Sequence, residues 1–258
     1  MRILFLADIV GTPGRQAVAD RLPSLREELD VDVVIANGEN LADGVGITPK
    51  LADRVLASGV DAITLGNHTW RRMEIAPYLS GSDRVARPAN MTATAPGKGL
   101  VFTNGRNGTR VAVINVMGSL FMDVPVSMWE IVDELVEEAQ RETPVIWVDV
   151  HGEATSEKVA LAQWLDGKVT AVVGTHTHVQ TNDARVLPGG TAALSDAGMT
   201  GPHSGVIGVQ SDLAIRRMRT GMPVRFETAS GDVRIEGALV ECNGDGRASS
   251  CTTVRVLV

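Results

Sequence analysis

Aromatic residues are scarce in this chain, at 3% of 258 positions, so its core must be filled by Val, Leu, Ile and Ala. Cysteines are scarcer still. Cys242 and Cys251 are the only two, and neither lies in a C-x-x-C pattern, which excludes a zinc knuckle or a dithiol redox motif. Two incidental thiols suit an intracellular protein, with a disulfide between two C-terminal strands as the alternative. Positive charge is also short. A net charge of −7 argues against an extended grip on a nucleic-acid backbone, which needs clustered Lys and Arg. No apolar run is long enough to span a bilayer. The opening "MRILFLADIV" is too short for a signal segment, carries Asp8 and lacks a small-residue cleavage site, so it reads as a buried first strand of a cytoplasmic protein.

What is present is an alternation of short apolar runs and helical patterns. "RILFLA", "VDVVIAN" and "DAITL" read as strands, and "RVAVINVMG", "TPVIWVDV" and "VTAVVG" repeat the theme. Helices are expected from about Arg15 to Leu29, interrupted at Pro23, and over Arg71–Leu79, Ser127–Arg141, "TSEKVALAQWL" and Ser211–Arg219. The helix of "TPKLADRVLASG" carries its own punctuation, with Thr48 as N-cap, Pro49 at the first helical position and Gly59 past the end. The strands are continuous rather than alternating apolar runs, as in parallel sheets buried on both faces. After Gly189 the pattern turns strand-rich, with "TAALSD", "MPVRFETA", "DVRIEGALVE" and "TTVRVLV" expected to run antiparallel. No repeat or linker divides the chain. The expectation is a single α/β domain over 1–258, two packed mixed sheets flanked by helices.

The apolar strands end in reactive residues. "RILFLAD" finishes at Asp8, "VVIANGEN" at Glu39 and Asn40, "AITLGNH" at Asn67 and His68, "VIWVDVH" at His151, and "TAVVGTHTH" at His176 and His178. In α/β sheets the C-terminal strand ends meet at one edge, where ligands bind. Four of the five histidines lie at these ends; the fifth is His203 in "GPHSG". A lone loop histidine is more often a hydrogen-bonded turn residue than a ligand. His176 and His178 differ, because positions i and i+2 of extended backbone point to the same side and can approach one ion. Asp8, Glu39, Asn40, Asn67, His151, His176 and His178 are too many ligands for one ion with an open position, and suit two with a bridging carboxylate. Two divalent cations and two carboxylates leave a local charge of about +2, so an acidic protein could still hold a phosphate.

In this order and strand context, "AD", "GEN", "GNH", "VH" and "GTHTH" resemble the motifs of the calcineurin-like metallophosphoesterase superfamily. Val10 replaces that superfamily's usual His, Glu39 its usual Asp, and Thr69 the acid that normally follows Gly-Asn-His. These departures, with "FLADIVGTPGR", "HGEATSEK" and "SDAGMTGPHSGVIG", are similar to the bacterial YmdB-type group of 2′,3′-cyclic-nucleotide phosphodiesterases. The resemblance implies a four-layer αββα sandwich and two metal ions, iron or manganese. One ion would take Asp8, Asn40 and His178, the other Asn67, His151 and His176, with Glu39 bridging. It also implies a small phosphodiester or cyclic-nucleotide substrate, attack by a metal-bridging hydroxide, His68 as the acid for the leaving oxygen, and assembly as a homo-oligomer.

Asp196 and His203 are candidates for outer positions around the centre, and Arg87 and Asn90 for substrate contact, although a strand-end turn explains the last two equally well. Trp70 is expected to anchor its loop by packing. The rival readings are a regulatory protein that keeps the metals without turnover and a nucleotide-binding module. "GTPG" lacks the G-x-G-x-x-G of a dinucleotide loop, and no H-x-H-x-D-H of the metallo-β-lactamase class occurs.

Overall fold

The computed structural model describes residues 1–258. In chain order the first half comprises β1 (Arg2–Leu6), α1 (Gly11–Glu28), β2 (Val33–Asn37), α2 (Pro49–Ala57), β3 (Ala62–Thr64), α3 (Ile75–Gly81), β4 (Val85–Ala86), β5 (Leu100–Asn104) and β6 (Arg110–Met117). The second half comprises α4 (Val132–Gln140), β7 (Ile146–His151), α5 (Thr155–Trp164), β8 (Ala171–Thr175), β9 (Arg185–Val186), β10 (Ala192–Leu194), β11 (Gly201–Pro202), α6 (Ser211–Thr220), β12 (Val233–Cys242) and β13 (Ala248–Leu257).

Two mixed sheets result. The first runs β11-β12-β1-β2-β3-β4, with β13 also on β12, and its β1 to β4 are parallel. The second runs β5-β6-β7-β8-β10-β9, with β6, β7, β8 and β10 parallel and antiparallel strands at both edges. Side chains alternate across each strand, which sorts the apolar residues into three buried layers. Ile3, Phe5, Ile35, Val113, Trp147 and Val173 fill the space between the sheets. Phe5 and Trp147 stack across it with ring centroids 5.3 Å apart. Leu4, Leu6 and Val34 face outward onto Val18, Leu22 and Val55 of α1 and α2. Ile114, Val148 and Val172 face Val136 and Leu161 of α4 and α5. This is the four-layer αββα sandwich.

Several local expectations need correcting. α1 passes through Pro23 without a break. Proline removes one helical hydrogen bond, but Pro23 and Ala19, whose carbonyl loses its donor, are both exposed, so water can take that place. "MPVRFETA" forms no strand beyond a single bridge of Thr228 to Val209, whereas β5, absent from the expected set, pairs with β6. The two C-terminal strands do pair, but Cys251 lies opposite Val240 and both thiols are free. No helix is long and apolar enough to cross a membrane.

Candidate metal centre

The parallel strands of the two sheets deliver the polar residues to one place. Asp8, Glu39, Asn40, Asn67 and His68 follow β1, β2 and β3 of the first sheet, while His151 ends β7 and His176 and His178 follow β8 of the second. The cluster has two lobes. In one, Nδ2 of Asn40 lies 3.2 Å from both Asp8 Oδ1 and His178 Nε2. In the other, His151 Nε2 lies 2.9 Å from Asn67 Oδ1 and 3.1 Å from His176 Nδ1. Glu39 sits between them, with Oε1 3.2 Å from His151 Nε2 and 3.4 Å from Asn40 Nδ2. The possible ligand atoms of Glu39, His151 and His176 lie within 4.8 Å of one another. All seven candidate ligands are thus gathered, and Asp8, Glu39, Asn40 and His151 are fully buried.

Outer partners fix which ring nitrogens carry hydrogen. His178 Nδ1–H donates to the Ile207 carbonyl at 3.0 Å, which leaves Nε2 as the inward lone pair. His151 Nδ1–H donates to Thr175 Oγ1 at 2.9 Å, and that hydroxyl donates in turn to Asp149 Oδ1 at 2.7 Å. His176 Nε2 lies 3.1 Å from the Glu153 carboxylate, so its Nδ1 faces inward. In the first lobe the Asn40 amide N–H faces Asp8 and His178. In the second, Asn67 Oδ1, His151 Nε2, His176 Nδ1 and Glu39 Oε1 are therefore acceptors facing acceptors, an arrangement that requires a cation between them. In the metal-free chain protons fill that role. Burial opposes the charge on His151, but Glu39 and Asp8 outweigh it and push its pKa up to about 9. Burial, joined by His151, pushes His176 down to about 4. Burial works against the Asp8 and Glu39 charges, yet His178 holds Asp8 and His151 holds Glu39 below their usual ranges. Burial pushes Asp149 up to about 6 despite the His151 charge and the Thr64 and Thr175 hydroxyls. A cluster dominated by carboxylate, carboxamide and imidazole donors fits divalent transition metals.

The backbone of "GTHTH" differs from the expectation. β8 ends at Thr175, and His176 and His178 have φ of 106° and 61°, so they are not an extended i, i+2 pair. They face different lobes. Thr177 between them donates its N–H to Asp196 Oδ2 at 3.1 Å, and Asp196 is held by Lys158 at 2.8 Å in a fully buried ion pair. Asp196 therefore fixes the loop that carries His176 and His178. His203 does not: it bonds the Gly201 carbonyl and faces Glu236. Arg87 is spent on the carbonyls of Pro88, Ala95 and Pro96, and Asn90 bonds the Met117 backbone at both ends of its amide. Both are loop fasteners rather than surfaces for a ligand.

His68 projects beside Glu39 and Asn40. Its Nδ1–H donates to Asn40 Oδ1 at 2.8 Å and lies 3.3 Å from Glu39 Oε1, while its backbone N–H donates to Glu39 Oε2 at 2.8 Å. Nε2 has no protein partner. Burial lowers its pKa, against the pull of Glu39. Thr69, where an acid was expected by resemblance, donates its hydroxyl to Gly66 O at 2.6 Å and clamps the turn. Gly66 is needed for close approach rather than for a tight turn: a Cβ there would lie 2.4 Å from Glu39 Oε2 and His151 Nε2. Trp70 packs on the core under the loop.

Asp149, Glu153, Thr175, Lys158 and the Ile207 carbonyl carry no signal in the strand-end pattern. Asp149 alone could have been found, because it lies two residues before His151 in a buried strand and so points to the same side.

Two packed sheets that gather acceptor side chains at their strand ends define a protein of the metallophosphoesterase type. The chain belongs to the YmdB-like protein family, whose model matches residues 4–254. It is 43% identical over 258 residues to the 2′,3′-cyclic-nucleotide 2′-phosphodiesterase of Bacillus subtilis strain 168, covering 100% of this chain and 97% of that one. Among solved structures it resembles a hypothetical protein from Thermus thermophilus at TM-score 0.93 and 39% identity, covering 100% of this chain and 99% of that one. A novel phosphatase from Mycoplasma pneumoniae matches at TM-score 0.91 and 29% identity, covering 100% and 93%.

Proposed function

We propose that the chain, as one domain over 1–258, is a metal-dependent phosphodiesterase of small diesters, with 2′,3′-cyclic nucleotides such as 2′,3′-cAMP as its substrate class. The printed activity of the Bacillus subtilis relative supports the substrate class. The observation that carries the reading is the position of Glu39 Oε1, 3.4 Å from Asn40 Nδ2 in one lobe and 3.2 Å from His151 Nε2 in the other. In this reading Asp8, Asn40 and His178 hold one ion, Asn67, His151 and His176 hold a second, and Glu39 reaches both. Iron and manganese suit this mixed set. When bound, such ions supply Lewis-acid stabilisation of phosphoryl oxygens and an activated water.

The chain's own residues do the rest. Thr175, Glu153 and the Ile207 carbonyl keep the inward nitrogens of His151, His176 and His178 free of hydrogen. His68, anchored through Nδ1 on Asn40, offers the unpartnered Nε2 to the departing ribose oxygen and protonates it. The test is metal analysis followed by turnover of 2′,3′-cAMP, 3′,5′-cAMP and an aryl diester. Two bound metals without diester hydrolysis would overturn the enzymatic reading. A preference for 3′,5′-cAMP would overturn only the substrate class.

A further inference from the structure

A buried carboxylate lies between the sheets, two residues short of His151. Asp149 shares the inner face of β7 with Trp147 and His151 and is fully buried. Its Oδ2 accepts from Thr64 Oγ1 at 2.5 Å and from Asn37 Nδ2 at 3.3 Å, both on the first sheet. Its Oδ1 accepts from Thr175 Oγ1 at 2.7 Å, at the end of β8. All three donors are neutral, so none of them forms an ion pair to offset the cost of burying the charge. The direction of each bond is dictated. Asn37 Oδ1 accepts from Glu39 N–H at 3.1 Å and its Nδ2 faces the Leu65 carbonyl at 3.4 Å, so its amide cannot be turned over without losing both. Asn37 therefore presents hydrogen to Asp149. A carboxylate has no hydrogen to give, so the Thr175 hydroxyl must donate to Oδ1. That hydroxyl has one hydrogen, and what it turns toward His151 Nδ1, 2.9 Å away, is a lone pair. The ring must then carry a hydrogen on Nδ1, which leaves Nε2 for the lobe of Asn67, His176 and Glu39.

We propose that Asp149 is a positioning residue: acting through Thr175, it sets the tautomer of His151 and so keeps the inward nitrogen of that ring open to a metal ion. This rests on the metal-dependent reading above. A hydroxyl by itself serves either tautomer, since it both donates and accepts. The carboxylate removes that choice, which gives a reason for burying a charge where an amide of the same shape would fit. In Asp149→Asn the donors of Thr64 and Asn37 claim the amide oxygen, and this turns the amide NH2 toward Thr175. The Thr175 hydroxyl must then donate to His151 Nδ1. The hydrogen of the neutral ring moves to Nε2, where it blocks the lobe.

Asp149→Asn is nearly isosteric and tests this in two ways. Calorimetric titration with manganese should show one of the two ions bound about 10–100-fold more weakly, with the other unchanged. Nitrogen NMR of the histidine rings, on the metal-free protein above the pH of about 9 at which His151 gives up its proton, should show the His151 hydrogen on Nδ1 in wild type and on Nε2 in the variant. Thr175→Ser should match wild type in both measurements, and Thr175→Val should lose manganese affinity as Asp149→Asn does. That pair decides the matter even where Asp149→Asn fails to fold. A His151 hydrogen that stays on Nδ1 in Asp149→Asn, or both ions weakened equally, would overturn the proposal and leave Asp149 a structural residue. So would full manganese affinity in Thr175→Val. A wild-type protein that binds no manganese, but whose His151 hydrogen still moves in Asp149→Asn, would overturn the metal-dependent reading and leave the positioning role standing.

Discussion

His151 Nε2 and His176 Nδ1 face each other at 3.1 Å, and each ring has its hydrogen fixed on the opposite nitrogen by Thr175 or Glu153. Two such lone pairs repel unless a positive charge lies against them. In the metal-free chain this charge is a proton on His151, held there by the Glu39 and Asp8 carboxylates against the cost of burial.

Metal binding must therefore release protons. His151, pushed up to about 9, is protonated at pH 7 and neutral as a ligand. Calorimetric titration with manganese at pH 7, in buffers of differing ionisation enthalpy, should show close to one proton released, with affinity rising about tenfold per pH unit between 7 and 9. The stability of the metal-free chain should run the other way. A histidine whose folded pKa is raised contributes stability that is present below about pH 6.5 and lost as pH rises through about 9. The metal-free Tm should fall across that window while the metal-loaded Tm rises. Parallel pH profiles for the two forms would contradict this account.

Lys158→Met should cost about 3–5 kcal/mol, the penalty for leaving a buried charge unpaired. Asp196 would lose its partner at 2.8 Å while remaining fully buried. Because Asp196 also fixes Thr177 between His176 and His178, manganese affinity should fall with stability. Urea unfolding and metal titration of the variant check both effects. A loss of stability with metal affinity intact would separate the ion pair from the centre.

The parts of this structure that were legible in the sequence are those set by local chemistry. Thr48 caps α2 as expected, its hydroxyl accepting from Leu51 N–H at 3.3 Å, and the continuous apolar strands are buried on both faces. The gathering of Asp8, Asn40, Asn67 and His151 followed from parallel strands ending at one edge. What was not legible depended on tertiary geometry. The positive φ at His176 and His178 is imposed by the loop that Asp196 and Lys158 hold, which no spacing rule shows. For Arg87 the sequence leaves substrate contact and a strand-end turn equally open, and the turn prevails because the guanidinium is occupied by carbonyls of its own loop. The need for glycine at position 66 is equally hidden, because its crowding comes from Glu39 and His151, 27 and 85 positions away in the chain.

Gly66→Ala follows from that crowding. A Cβ 2.4 Å from Glu39 Oε2 and His151 Nε2 must displace both side chains. Overpacking of this kind costs about 1–3 kcal/mol, and here the displaced groups are the one between the lobes and a proposed ligand. The variant should fold, with a lowered Tm, and should bind manganese far more weakly than wild type by calorimetry. Undiminished metal binding would show that the centre tolerates the displacement.

His68→Ala separates binding from proton transfer. His68 touches the cluster through Asn40 Oδ1 and Glu39 but is not in the proposed ligand set, and its Nε2 is left free. Metal content should stay at the wild-type value while turnover of 2′,3′-cAMP falls by about 10²–10⁴. The defect should shrink with a diester whose leaving group is a good one, such as a nitrophenolate, because that oxygen departs without a proton. Burial keeps the His68 pKa below its ordinary 6.5, so the protonated acid is the minority form at neutral pH and wild-type kcat/KM for the cyclic nucleotide should decline as pH rises through that pKa. A uniform loss across good and poor leaving groups would instead assign His68 to holding Asn40 and Glu39 in place.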